Sequence, residues 1–191
     1  IMPVHVWGNA VWLEDLVEIC KERNIVIVED ASESLGTFYK KGKYKNKHTG
    51  TLGSLGCISF NGNKIMTTGG GGAIFTDSPI LAEKAKYLTT QAKDDPIRYI
   101  HNQVGYNFRL TNIQAAIGVA QLEQLNGFLK NKKWIYNHYL KEISLIDGLS
   151  IAKTPSYADN NHWMNILNIK SDVYGKDRDE IMNIFQKNNI Q

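Results

Sequence analysis

A hydroxyl and an amine stand close together in Ser59-Phe60-Asn61-Gly62-Asn63-Lys64, and the glycine run Gly69-Gly70-Gly71-Gly72 follows soon after. Upstream, the apolar run Ile25-Val26-Ile27-Val28 ends in Glu29-Asp30. An aspartate at a strand end can hold a pyridine nitrogen protonated, a serine can hydrogen-bond a phosphate, and a lysine can form an imine with an aldehyde. In this order the three side chains suit pyridoxal phosphate. Each alone has a plainer reading: Asp30 as a helix cap, loop acid or Mg²⁺ ligand, and Lys64 as a surface lysine in a turn. Glu33 lies near enough to Asp30 to reach the same ligand, or is an exposed loop acid. The glycines weigh against a bland Lys64, because they permit close backbone approach to a ligand.

Other chemistries find less support. Gly69 to Gly72 follow Lys64 instead of preceding it, so the G-x-x-x-x-G-K-[ST] phosphate loop is absent. No G-x-G-x-x-G opens a helix after a strand, which leaves a nicotinamide site without its fingerprint. His5, His48, His101, His138 and His162 show no metal-ligand spacing, and no metal is expected.

The elements that must position these residues read as α/β. Residues 12–23 form an amphipathic helix, with Leu13, Leu16, Val17 and Cys20 on one face. The run 25–28 is continuous and apolar, as in a strand buried on both faces. Residues 36–56 make a polar, glycine-containing excursion, 57–60 and 72–76 are short strands, and Asp77-Ser78-Pro79 opens a helix through about Thr90. Residues 93–108 are irregular. A long helix spans 112–142, with Ile113, Ala116, Ile117, Ala120, Leu122 and Leu125 as its apolar face and Gly118 allowing close packing. Asp147-Gly148 is a turn and marks a boundary, so that 1–148 is one unit and 149–191 opens another. The second unit holds a strand-like run at 163–169 and a helix from about Lys176.

The 191 residues, 42% hydrophobic and 21% charged, suffice for one sizeable core plus an appendage. No segment approaches the roughly 18 apolar residues of a membrane span, and the first residues lack the features of a signal peptide. Two cysteines without metal spacing fit a reducing cytoplasm. The net charge of +3 is mild, and much of it sits in Lys40, Lys41, Lys43, Lys45 and Lys47. That cluster reads as a solvated hairpin or as a contact for a phosphate-bearing substrate, and no nucleic-acid motif accompanies it.

Three ordered motifs then carry a resemblance: Glu29-Asp30-Ala31-Ser32-Glu33-Ser34-Leu35-Gly36, Ser59 to Lys64, and Gly105-Tyr106-Asn107-Phe108-Arg109-Leu110-Thr111-Asn112-Ile113-Gln114-Ala115-Ala116. The chain resembles the DegT/DnrJ/EryC1/StrS family of fold-type I, pyridoxal-phosphate-dependent nucleotide-sugar aminotransferases. Pro3-Val4-His5-Val6-Trp7-Gly8-Asn9 and Gln91-Ala92-Lys93-Asp94-Asp95 look like its legionaminic acid and bacillosamine-type branch. The match runs to about Gly148, and beyond it only Asn161-His162-Trp163 looks familiar. The chain is therefore expected to be the central piece of a longer enzyme.

The resemblance implies a large domain with a mostly parallel sheet flanked by helices, followed by a truncated α+β small domain. It implies Lys64 as covalent cofactor attachment and proton shuttle, Asp30 as partner of the pyridine nitrogen, Glu33 near the ring's phenolic oxygen and Ser59 on the phosphate. Asn107 matches a residue that relatives give to the neighbouring subunit's phosphate site; Arg109 and His101 are candidates for substrate binding. The implied partners are a second copy of the chain, L-glutamate as amino donor, and a nucleotide-linked 4-keto-6-deoxy sugar of surface-glycan or nonulosonic acid biosynthesis. Two rivals stand beside this reading: a sugar dehydratase of the same fold, whose lysine is replaced by histidine, and a catalytically silent binding module.

Overall fold

A computed structural model describes residues 1–190. Helix α1 (Glu14–Glu22) carries Glu14 and Asp15 in its first turn, where carboxylates complement the helix dipole, and Asn24 ends the following turn at φ 53°. The chain then enters β1 (Val28–Asp30). Strand β1 pairs in parallel with β3 (Leu55–Ser59), placing Asp30 opposite Cys57, and residue Val4 adds a parallel bridge to Asp30 on the other side. Strand β4 (Gly72–Phe75) closes the far edge antiparallel to β3, with Gly72 opposite Ser59.

The strand differs from its expected position. Residues Ile25 and Val26 precede β1 and lie 39% and 59% exposed, and only Ile27 of the run is buried. The amide of Ile25 bonds back to the Cys20 carbonyl, so it belongs to the helix exit. Pairing instead begins where residue 1 offers its carbonyl to the Val28 amide and Pro3 offers its carbonyl to the Asp30 amide.

Helix α2 (Pro79–Thr89) starts from a Ser78 side chain that accepts the Leu81 amide, and α3 (Asn112–Ile143) starts from a capping box between Thr111 and Gln114. The inward stripe of α3 is not the expected apolar one. Residues Ile113, Ile117 and Leu122 face outward, whereas Gly118 packs on Thr68, Gln121 accepts the Thr67 amide, Leu129 lies against Gly36 and Tyr136 stacks on His162. Beyond it, β5 (Leu149–Ile151) pairs antiparallel with β7 (Leu167–Ile169), and α4 (Ser171–Tyr174) and the Asp177-capped α5 (Arg178–Lys187) follow. Strand β6 (Ala158–Asp159) pairs with β2 (Phe38–Tyr39), so the chain after residue 148 packs back onto the first part. Residues Leu13, Ala10, Tyr39 and Ala158 form the main buried cluster. Among the described residues, no helix is long and apolar enough to cross a membrane.

The middle residue of β1 carries a fully buried carboxylate. Glu29 accepts a 2.9 Å hydrogen bond from His5 Nε2 and further ones from the amides of Gly50, Leu52 and Gly53. The other ring nitrogen of His5 accepts the Val11 amide, which fixes the proton on Nε2. Burial alone pushes a carboxyl pKa up, but the bonds from His5 and the loop amides outweigh it, and Glu29 lies below the usual value of 4.5. A lowered carboxyl pKa gives stability that is full above the unfolded value and lost as pH falls through the folded one. Glu29→Gln should therefore cost about 3 kcal/mol near pH 7, measured by denaturant unfolding. The variant should also lose stability less steeply than the parent below pH 4.5. Equal acid limbs in the two proteins would rule out an ionised Glu29.

Candidate active site

The register of β1 on β3 brings the candidate residues to one end of the sheet. The Asp30 carboxylate leaves the carboxyl end of β1 and accepts the Ser32 amide at 3.0 Å, which holds the following turn. Opposite it, Cys57 directs its thiol at Asp30 Oδ1, 3.9 Å away; burial and the neighbouring carboxylate raise the thiol's pKa and keep it neutral. Two residues along β3, Ser59 Oγ accepts the Asn61 amide at 3.2 Å and so starts the turn that carries Lys64. A bond from the Lys64 amide to the Asn61 carbonyl completes that turn.

Lys64 Nζ lies 3.8 Å from Glu33 Oε1 and 4.2 Å from the centre of the Trp163 ring. The second Glu33 oxygen accepts the Trp7 amide at 2.6 Å, with Trp7 at φ 54°. One cleft is thus lined by Ser32, Glu33, Leu35, Ser59, Lys64, Ile65 and Trp163, next to Asp30. Glu33, Ser59 and Lys64 meet in this crevice, which their own side chains nearly fill, while Asp30 stands outside its lining at the end of β1; together they are the carboxylates, hydroxyl and amine that a phosphorylated pyridine aldehyde requires.

The glycine run sits elsewhere for a backbone reason. Gly69 and Gly71 have φ of 78° and 92°, and a Cβ on Gly72 would meet the Ile58 carbonyl at 2.4 Å. These glycines close the loop between β3 and β4, and Gly71 and Gly72 line a separate cleft of about 490 Å³ with Arg109 and Gln114. Residues His101, Asn107 and Arg109 lie on an exposed segment outside the Lys64 cleft: His101 Nδ1 bonds the Gln91 carbonyl, and Arg109 Nε donates to Asn107 Oδ1. In the lysine-rich loop, Lys43 pairs with Glu18 and Lys40 with Asp159, so part of that cluster is spent on surface ion pairs.

Residues 160–163 form a strap across the cleft. The Asn161 amide group donates to the carbonyls of Glu33 and Leu35, and its oxygen accepts the Trp163 amide. Trp163 in turn donates its indole N–H to the Asn63 carbonyl at 2.7 Å. His162 is buried at φ 51°, stacks on Tyr136 and has no partner for Nδ1 among the described residues. Desolvation, with Lys133 nearby, lowers its pKa to about 4.

Comparison with known proteins places this geometry. All of residues 1–191 match the DegT/DnrJ/EryC1/StrS aminotransferase family. The chain belongs to that family. It is 35% identical over 169 residues to a putative pyridoxal phosphate-dependent aminotransferase, EpsN, of Bacillus subtilis, covering 88% of this chain and 42% of that protein. It is 38% identical over 164 residues to GDP-perosamine synthase of Escherichia coli O157:H7, covering 86% and 43%. The solved structure of S. venezuelae DesV, in complex with a ketimine intermediate, superposes with a TM-score of 0.85 at 25% identity, covering 100% of this chain and 48% of that one. The chain spans about half the length of these relatives.

Within this DegT/DnrJ/EryC1/StrS chain, the four residues singled out by local sequence signals, Asp30, Glu33, Ser59 and Lys64, lie near one another at one end of the sheet. Those signals assign no role to Trp7, Ser32, Asn161 or Trp163. The only signal for the last two was the composition of Asn161-His162-Trp163, whose partners lie about a hundred or more residues away.

Two substitutions test the strap. Gly8 has φ 81°, and a Cβ there would fall 2.0 Å from the Asn161 side-chain oxygen. Gly8→Ala should cost at least about 2 kcal/mol in denaturant unfolding, from left-handed backbone strain and a displaced Asn161. For His162, a folded pKa of about 4 against 6.5 unfolded means stability is full above 6.5 and is lost as pH falls towards 4. That loss should reach about 3 kcal/mol and be much smaller in His162→Asn, which tolerates the positive φ.

Proposed function

We propose that this chain forms the cofactor-binding part of a pyridoxal-phosphate-dependent aminotransferase that aminates a keto group on a nucleotide-linked sugar. The observation that carries the reading is the convergence of Lys64, Glu33 and Ser59 in one cleft beside Asp30. The group such a site would hold supplies an aldehyde for amino-group capture and a pyridinium electron sink.

The residues of the chain then have distinct tasks. Asp30, at the carboxyl end of β1, would pair with the ring nitrogen, and the Ser32 amide and the neutral Cys57 thiol both face its Oδ1. Ser59 donates its hydroxyl to phosphate; the same oxygen accepts the Asn61 amide, so its direction is already set. Lys64 would supply the amine for covalent attachment and would be the group placed to move a proton at the reacting carbon. Glu33, oriented by the Trp7 amide, lies 3.8 Å from the amine, and by its resemblance to relatives would stand near the ring's phenolic oxygen. Trp163 covers the cleft and limits water at the reacting atoms.

The finer reading extends further. L-glutamate is the proposed donor, and the acceptor a 4-keto-6-deoxy sugar, in keeping with relatives named as GDP-perosamine synthase and as a UDP-4-amino-4,6-dideoxy-N-acetyl-beta-L-altrosamine transaminase. The place in a legionaminic acid or bacillosamine-type branch rests on residues 3–9 and 91–95. We assign residues 1–148 to a large domain and 149–191 to the start of a small one, working in the cytoplasm. The outward Ile113, Ile117 and Leu122 of α3 support a homodimer, in which Asn107 would reach the other copy's phosphate and Arg109 and His101 would meet substrate. The lysine itself disfavours the dehydratase alternative, and an assembled Asp30–Ser59–Lys64 set disfavours a silent module.

Incubation of the intact gene product with pyridoxal phosphate should generate a visible absorption band. Borohydride reduction should then leave one phosphopyridoxyl group per chain, on the peptide containing Lys64. Lys64→Ala should lose the band and at least about 10³-fold of transaminase activity, and Ser59→Ala should weaken cofactor affinity about tenfold. Adducts scattered over surface lysines would contradict the assignment.

A further inference from the structure

The Lys64 amine is flanked by two groups that both favour a cation. On one side stands the Glu33 carboxylate at 3.8 Å, and on the other the face of the Trp163 indole at 4.2 Å. Tryptophan has the strongest negative face of the aromatic side chains, and the attraction grows when water is excluded. Only 14% of the lysine side chain and 8% of Trp163 are exposed. Simple packing would not require the rest of the geometry. The indole N–H bonds the carbonyl of Asn63, the residue before the lysine, so the ring is registered to the lysine backbone as well as to its amine. Through Asn161, the same strap holds the Glu33 and Leu35 carbonyls. Both walls around the ammonium therefore hang on residues 161–163.

We propose that Glu33 and Trp163 form a built rest position for the Lys64 ammonium, which the amine occupies whenever it is not bonded to a carbonyl carbon. The inference rests on the cofactor-site reading above and adds Trp163 as a positioning residue. A lysine ammonium that condenses with an aldehyde first releases one proton; the two remaining amine protons leave with the aldehyde oxygen as water, and the nitrogen, now double-bonded to the carbonyl carbon, is drawn out from between these two walls. When an amino group on the substrate displaces it, the freed lysine takes up a proton and returns to the same place. A four-carbon stem that would otherwise sample many rotamers is thus returned to one location between half-reactions.

The test is amine labelling of the intact gene product without cofactor, using acetic anhydride and peptide mass mapping, with exposed Lys41 as internal reference. Lys64 should react more slowly than Lys41 in the parent. Trp163→Leu and Glu33→Gln should each accelerate Lys64 labelling by about threefold or more, with Lys41 unchanged. Site-specific replacement of Trp163 by mono- and tetrafluorinated tryptophan keeps shape and N–H while weakening the ring face. Labelling of Lys64 should rise stepwise along that series, a gradation that a purely structural tryptophan would not give. The fluorinated series also decides the matter if Trp163→Leu does not fold. Unchanged Lys64 labelling across the fluorinated series would overturn the rest position. Borohydride trapping of pyridoxal phosphate on the same proteins is read separately. Trapping at Lys64 with flat labelling sinks only the rest position; stepwise labelling without trapping sinks the cofactor reading on which it was built.

Discussion

A carboxylate shielded from solvent organises this molecule. Glu29 is fully buried, and an unpaired charge in that place would cost several kcal/mol. Its donors come from His5 and from a loop at residues 50–53, so three separate stretches must meet before the charge is compensated. The meeting fixes the parallel alignment of residues 1–5, β1 and β3. Asp30 is the next residue along, and its position at the strand end follows from that alignment. The catalytic proposal thus stands on a bond network that touches no ligand.

The second constraint joins the two ends of the chain. Residues 160–163 are bonded to residue 9, to 33, 35 and 37, and to 63, through Asn160, Asn161 and Trp163. Buried asparagine is costly unless its amide is satisfied, and Asn161 finds partners for both ends of its side chain. Such a network specifies one arrangement sharply, because any slip leaves several donors orphaned. It places the wall of the cleft on the segment after residue 148, so that the cleft is complete only when that segment packs back.

Much of the fold was legible because its signals are local. The start of α3 is written in Thr111 and Gln114, and the turn into Lys64 in Asn61-Gly62-Asn63. Ser59 and Lys64 are singled out by their spacing on one loop, and the structure places them on one crevice. What could not be read depends on distant partners. The run at Ile25 and Val26 looks like a buried strand, yet pairing begins at Val28, where residues 1–5 provide a neighbour. Apolar count pointed α3 the wrong way: its inward stripe uses Gly118 and Gln121 for close approach and hydrogen bonding, while Ile113 and Ile117 face outward. The glycines at 69–72 read as a ligand cradle; positive φ at Gly69 and Gly71 and the Ile58 carbonyl beside Gly72 give three of them a backbone reason. Nothing within twenty residues of Trp163 hints that its ring lies over Lys64.

A crystal structure of the intact gene product grown with pyridoxal phosphate is the most direct test of the central claim. The account predicts continuous electron density from Lys64 Nζ to the cofactor carbon, with the pyridine nitrogen in hydrogen-bond reach of Asp30 and the phosphate on Ser59. Cofactor bound through a different lysine, or seated away from Asp30 with Lys64 still between Glu33 and Trp163, would contradict it.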